Sequence, residues 1–148
     1  MTEIVRLKKE FIPEIAQIEK LCFSDPWSEE GLEKLLEDGY VCLLALVDGV
    51  VAGYVGMYFV LDEGNIINVA THPSYRRCGL AKALLKRLDE VSFELNLREL
   101  YLEVRLGNES AKALYASDGW EVIGMRKNFY SRPTEDAVLM KKELLKGD

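Results

Sequence analysis

The run NIINVATHPSYRRCGLAKALLKRL, residues 65–88, decides how the rest of the chain is read. Its first part, with Ile66, Ile67, Val69 and Ala70, is apolar, rich in β-branched residues and of strand length. His72-Pro73-Ser74 follows, and a proline without an N–H ends the ladder there. Beyond Gly79, the residues Leu80, Leu84, Leu88 and Val91 recur at the spacing of one helical face. Strand and helix are joined by Arg76-Arg77-Cys78-Gly79-Leu80-Ala81, a basic loop with small residues at its end.

The first turn of a helix presents unpaired N–H groups and a partial positive charge, so it can hold a phosphate. Glycine and alanine let a pyrophosphate come close to the backbone. From Arg76 to Arg87 there are five basic residues and no acidic one, in a chain of net charge −6. Local positive charge on an acidic background fits a bound polyanion; a solvated helix face after a tight turn is the plainer alternative. Neither the dinucleotide fingerprint G-x-G-x-x-G nor the P-loop G-x-x-x-x-G-K-[ST] is present.

Outward from this stretch, 148 residues predict one domain over 1–148 with a sizeable core. Hydrophobic residues make up 49% and charged residues 30%, which excludes a disordered chain. No apolar run is long enough to span a membrane, and the N-terminus lacks the organisation of a signal peptide, so cytoplasmic residence is the expectation. The acidic balance argues against direct nucleic-acid binding. Cys22, Cys42 and Cys78 form an odd set without C-x-x-C spacing, so neither a disulfide framework nor a metal site is expected. Cys78 lies beside arginines that favour a thiolate, but no base accompanies it.

In chain order, Thr2 to Leu7 reads as a first strand. Pro13 opens a helix whose buried stripe is Ile15, Ile18, Leu21 and Cys22. Ser28 caps a second, short helix carrying Leu32, Leu35 and Leu36 inward. Trp27 lies between them, as a packing anchor or a ligand contact. Val41–Val47 and Val50–Leu61 are strands joined by Asp48-Gly49, a type I′ hairpin signal, and 62–65 reads as the next turn. In Glu99–Leu106, Leu100, Leu102, Val104 and Leu106 share one face, while Tyr101, Glu103 and Arg105 share the other. With a helix intervening, this strand is expected to lie parallel to Ile66–Ala70. Asn108 caps a fourth helix that Gly119 stops, and Trp120–Met125 and Glu135–Lys141 close the chain around an aromatic loop at 126–133. The fold class is α/β, a mixed sheet between helical layers.

Arg76-Arg77-x-Gly79-x-Ala81 resembles the Q/R-x-x-G-x-G/A signature of the GCN5-related N-acetyltransferase (GNAT) family, and the order of elements resembles that family along essentially the whole chain. Further residues are similar to the RimI-type protein N-terminal α-acetyltransferases: Tyr101 to Arg105, Asn108, Ala111, Leu114-Tyr115, Gly119-Trp120, Asn128-Phe129-Tyr130, Asp136 to Met140 and Pro26-Trp27-Ser28. Bacterial members modify the N-terminal alanine of a small-subunit ribosomal protein, and archaeal relatives accept several N-terminal residues. The resemblance implies the three-layer fold of acyl-CoA acyltransferases, acetyl-CoA as co-substrate without a metal, and a protein N-terminus as partner.

It also implies roles. Arg76, Arg77, Cys78, Gly79, Leu80, Ala81 and Lys82 would hold the pyrophosphate, while Val69, Ala70, Thr71 and Asn108 would hold the pantetheine arm. Glu103 would be the general base, its alternative being a strand carboxylate paired with Arg105. Tyr115 would protonate the departing thiolate, its alternative being a helix tyrosine packed on the sheet. Trp27, Phe129 and Tyr130 would contact the peptide. Ala81 and Phe129 depart from the commoner glycine and tyrosine, and Arg76 stands where glutamine is frequent. An α-amine of pKa about 7.7–8.0 needs only a modest base, whereas lysine at about 10.4 needs a stronger one. Rival readings are a family member acting on a small amine or lysine side chain, and a non-catalytic acetyl-CoA-binding module.

Overall fold

In the computed structural model, which describes residues 1–144, Asp48 and Gly49 take φ angles of 50° and 84°. Both central residues of a type I′ turn require positive φ, so the Asp-Gly pair closes the hairpin as its chemistry predicts. This hairpin joins β2 (Tyr40–Val47) to β3 (Val50–Val60). β1 (Thr2–Arg6) adds antiparallel to β2, and β4 (Glu63–Thr71) adds antiparallel to β3. A crossover through helix α3 (Leu80–Glu94) returns the chain as β5 (Glu99–Arg105), parallel to β4. β6 (Glu121–Tyr130) and β7 (Glu135–Glu143) complete one sheet of order β1-β2-β3-β4-β5-β7-β6.

Two apolar layers flank this mixed sheet. α1 (Ile12–Cys22) and the short α2 (Glu29–Glu33) cover one face over Cys42, Leu44, Leu46 and Tyr54. Helix α3 and the tyrosine of α4 (Glu109–Ser117) pack on the other, with Leu84, Leu88, Leu100, Leu102, Val138 and Met140. The alternation expected of β5 holds through Val104: Leu100, Leu102 and Val104 are buried, while Glu103 is exposed. Ser28 accepts the Gly31 N–H and Asn108 the Ala111 N–H, so both expected caps form. Gly119, at φ 93°, stops α4.

Several expectations are corrected. Residues 63–65 are not a turn; they begin β4, and the turn is Leu61-Asp62. Gly64 is there for space: a Cβ would lie 2.6 Å from Leu100 and 2.7 Å from the Met57 sulfur. The segment 126–133 is not wholly a loop. β6 stays paired through Arg126↔Ala137, bulges, and pairs again at Tyr130↔Glu135. Leu21, Leu36 and Leu106 are exposed rather than buried, and Cys22 is half-buried. In α1 the buried stripe is made by Ile12, Ala16 and Glu19 together with Ile15 and Ile18, in place of Leu21 and Cys22.

The β4–β5 ladder is short. Only Glu63↔Glu99, Gly64↔Leu100 and Asn65↔Tyr101 are paired, so β5 is parallel to β4 but does not run beside Ile66–Ala70 as expected. A register shift in the β3–β4 pairing, from Gly56↔Asn68 to Met57↔Ile66, leaves Ile67 as a bulge at the point of divergence. Bulges bend and twist a strand, which carries β4 away from β5. On the closed side, β3 and β4 are in tight contact: a Cβ on Gly53 would meet the Ala70 carbonyl oxygen at 2.8 Å. Gly53→Ala is therefore expected to destabilise the chain by about 1–3 kcal/mol, read as a lower urea midpoint at unchanged m-value.

Candidate active site

The diverging strands open a cavity of about 900 Å³. From β4 it is lined by Asn65, Asn68 and Val69, and from β5 by Tyr101, Glu103 and Arg105. Asn108 and Tyr115 close it from α4. Two loops shape its mouth: that after α1, with Asp25 and Trp27, and the β6–β7 turn, with Phe129, Tyr130 and Arg132. A smaller cavity of about 250 Å³ beside β1 and β2 is lined by none of the candidate catalytic, cofactor-binding or peptide-binding residues.

Glu103 stands on the exposed side of β5 and makes no hydrogen bond or ion pair among the described residues. The pairing with Arg105 is not formed. Arg105 instead binds Glu135 Oε1 at 3.2 Å, the Pro133 carbonyl at 2.9 Å and the Ser131 carbonyl at 3.0 Å, with its guanidinium 4.5 Å from the Tyr130 ring centroid. Glu135 Oε2 in turn accepts the Gly107 N–H at 2.6 Å. Arg105 thus fixes the β6–β7 turn and leaves the Glu103 carboxylate to face the cavity.

Tyr115 is buried against Trp120, with ring centroids 6.0 Å apart. The ring packs in the core, as its structural alternative expects, and the residue also lines the cavity. No buried side-chain nitrogen or oxygen among the described residues lacks a partner. Among the described residues the Tyr115 hydroxyl has no hydrogen-bond partner, so it is open to the cavity that the residue lines. Burial, and then Tyr130, push its pKa up. Burial, followed by the negative charge of Glu103, pushes Tyr130 up to about 12. Glu103, Tyr115 and Tyr130 all line this one cavity.

The basic loop lies beyond the cavity's lining. Gly79, at φ 76°, has nothing within 4 Å of where a Cβ would stand. Helical hydrogen bonding at the start of α3 begins with the Ala83 N–H donating to the Gly79 carbonyl, which leaves the N–H groups of Leu80, Ala81 and Lys82 without helical acceptors. The Leu80 side chain belongs to the core, so only its backbone faces outward. Arg77 and Cys78 are exposed. The Arg76 side chain turns back: Nε donates to the Thr71 carbonyl at 3.4 Å and Nη2 lies 3.5 Å from Cys22 Sγ. Ala70 is buried and Val69 lines the cavity. The open glycine, the orphan N–H groups and the exposed Arg77 together suit a pyrophosphate, whereas the structure turns the Arg76 guanidinium back to the end of β4. Asn108 Oδ1 is engaged by Ala111 N–H and Ser110 Oγ, so only its amide NH₂ can face a ligand.

The sequence reading passed over Glu19, a fully buried carboxylate. It sits seven residues after Ile12 and four after Ile15, on the apolar stripe of α1. A charge on such a stripe was the available signal.

The sequence profile of the acetyltransferase (GNAT) family matches residues 12–120. The chain belongs to this family. The ribosomal protein bS18-alanine N-acetyltransferase of Escherichia coli (strain K12) is 34% identical over 144 residues, covering 95% of this chain and 96% of that one. A Bacillus subtilis (strain 168) relative, bearing a provisional form of the same name, is 37% identical over 136 residues and 90% of each chain. The crystal structure of the E. coli ribosomal-protein-S18-alanine N-acetyltransferase superposes with a TM-score of 0.93 at 31% identity, covering 100% of this chain and 97% of that one. Ard1 of Thermoplasma volcanium shares the fold at a TM-score of 0.89 and 23% identity, covering 98% and 99%.

This GNAT protein is therefore an acetyl-CoA-dependent N-acetyltransferase. Among its described residues, no helix is long and apolar enough to cross a membrane, and no group of three His, Cys, Asp or Glu side chains could hold a metal ion. Arg105→Ala frees the β6–β7 turn. It is expected to raise KM for the acetyl acceptor about tenfold, the worth of one cation–π contact and a charged hydrogen bond, with the acetyl-CoA Kd unchanged by calorimetry.

Proposed function

We propose that this GNAT enzyme acetylates the α-amine at the N-terminus of a protein, with a ribosomal protein as the favoured class of target. The observation that carries the reading is the pairing of an unpartnered Glu103 carboxylate with an open Tyr115 hydroxyl in one cavity. Relatives named for acetylating the N-terminal alanine of a ribosomal protein, matched over nearly their full length, support it.

In this mechanism the N–H groups at the start of α3, with Arg77 and Lys82, hold the pyrophosphate, the backbone of Gly79 and Ala81 gives it room, and Arg76 braces the end of β4 through the Thr71 carbonyl. Cys78 contributes its backbone at the same turn. The free edge of β4 at Val69, Ala70 and Thr71 binds the pantetheine amides as an added strand would, with the Asn108 amide beside it. A backbone N–H near Val69 polarises the thioester carbonyl. Trp27, Phe129 and Tyr130 hold the peptide so that its amine points at the acyl carbon. Glu103 takes the amine's proton, directly or through a water. The amine's lone pair forms the new C–N bond, the C–S bond breaks, and Tyr115 gives its proton to the departing sulfur. Because burial raises its pKa, Tyr115 stays protonated across the neutral range.

The acceptor's own ionisation discriminates between substrate classes. With peptides bearing a free α-amine, kcat/KM is expected to rise with pH and level off above about pH 8, following the α-amine. A lysine acceptor would drive a rise continuing past about pH 9, because its amine ionises near 10.4. Peptides with a blocked α-amine should be inert even when they contain lysine. Turnover of the blocked peptides would overturn the assignment.

Glu103→Gln and Tyr115→Phe are each expected to lower kcat by about 10²–10³-fold, the usual scale of one acid–base group, while acetyl-CoA binding persists. An unchanged kcat for Glu103→Gln at saturating peptide removes that residue from the base role.

A further inference from the structure

Glu19 has no exposed surface, yet it carries a carboxylate. A carboxylate removed from water is tolerated only when its oxygens are occupied by donors. Three donors occupy them. The Trp27 N–H reaches Oε1 at 2.9 Å, and Asn68 Nδ2 reaches Oε2 at 3.0 Å. The Tyr54 hydroxyl donates to the same oxygen, and Asn68 Nδ2 also lies 3.4 Å from that hydroxyl. Among the described residues, no lysine, arginine or histidine forms an ion pair with Glu19. Its surroundings are therefore built to receive a hydrogen-bond acceptor rather than to neutralise a charge.

The donors come from different parts of the fold. Trp27 lies on the loop between α1 and α2, Tyr54 on β3, and Asn68 on β4 next to the Ile67 bulge. Trp27 and Asn68 both line the catalytic cavity. Trp27 belongs to the loop at its mouth, while Asn68 immediately precedes Val69 on the strand edge that faces the acyl donor in the proposed mechanism. Packing alone does not call for a carboxylate here, since the neighbours on the α1 stripe are Ile12, Ile15 and Ala16.

We infer that Glu19 is a positioning residue: it clamps the Trp27 loop to Asn68 at the bulge of β4 and so sets the width of the slot between acetyl acceptor and acyl donor. The inference deepens the N-terminal acetyltransferase reading and rests on it for the identity of the acceptor, whereas the clamp rests on the geometry alone.

Three substitutions and one optical probe test it. Glu19→Ala orphans three donors, so the Trp27 loop is released. Peptide KM should rise about tenfold or more, while acetyl-CoA Kd, read by calorimetry, stays within about twofold, because the α3 loop is untouched. Glu19→Gln keeps one acceptor oxygen and should recover most of that loss. Tyr54→Phe removes one donor and should raise KM by about threefold, the lower range for a single hydrogen bond. The chain has two tryptophans, so in a Trp120→Phe background Trp27 alone reports on the loop. Its emission should shift to the red and become more accessible to acrylamide in Glu19→Ala.

A merely structural role predicts something else. Ser92→Ala alters another fully buried polar group, remote from the cavity, and should lower Tm without moving KM or Trp27 emission. If Glu19→Ala behaves in that way, losing Tm while KM and emission stay put, the clamp is overturned. If Glu19→Ala does not fold, Tyr54→Phe decides, and an unchanged KM in that variant overturns the clamp equally. Should the unsubstituted enzyme fail to acetylate free α-amines while Trp27 emission still shifts in the variants, the clamp stands and the acceptor assignment falls.

Discussion

Parallel strands share a ladder only while their backbones stay about 4.8 Å apart, and β4 and β5 do so for three residue pairs before separating. Beyond Asn65 and Tyr101 both strands carry backbone donors and acceptors on edges that face each other without pairing. In a closed interior such groups would be costly. Here they line a cavity open to water, which can satisfy them. The gap is held from both ends. Gly64 lets Leu100 and Met57 close tightly where the strands meet, and the Ile67 bulge turns β4 aside where they part.

Chemistry collects in that gap because the elements bordering it end there. β5 points Glu103 into the opening on its exposed side, while Leu102 and Val104 anchor it in the core on the other. α4 begins just after β5, capped by Asn108, and brings Tyr115 up from the opposite layer. The basic loop and the start of α3 follow directly from the end of β4. Positive charge and orphan N–H groups therefore lie at one end of the cleft, with an unpaired carboxylate further along. Two anchors then shape the cavity's mouth. Arg105 ties down the β6–β7 turn through two carbonyls, Glu135 and the Tyr130 face, and Glu19 ties the Trp27 loop to β4. The exposed Arg132–Asp25 pair, at 3.5 Å, joins the same two loops but adds little in water.

Much of this was legible from local pattern. The hairpin at Asp48-Gly49, the caps at Ser28 and Asn108, the stop at Gly119 and the alternation of Glu99 to Val104 all depend on neighbours within a few residues, which the order of side chains specifies directly. The misread segments are those in which a distant partner overrode the local signal. Gly64 looks like a turn residue, but β5 and Met57 press against it from across the sheet. Residues 126–130 look like a loop, but β7 keeps them in a strand. Leu21 sits near an apolar stripe, but nothing lies over it.

The same division runs through the site. The order of residues alone determined the basic loop between β4 and α3, the outward placement of Glu103 and the family, because each is a matter of which groups stand at fixed short separations. Only the tertiary structure decided that Arg105 leaves Glu103 for Glu135, and that Glu19 is an internal anchor rather than a surface charge. It also decided that β4 and β5 part company at Asn65. Each of these is set by which groups compete for one partner after distant segments meet, and a linear pattern carries no record of that competition.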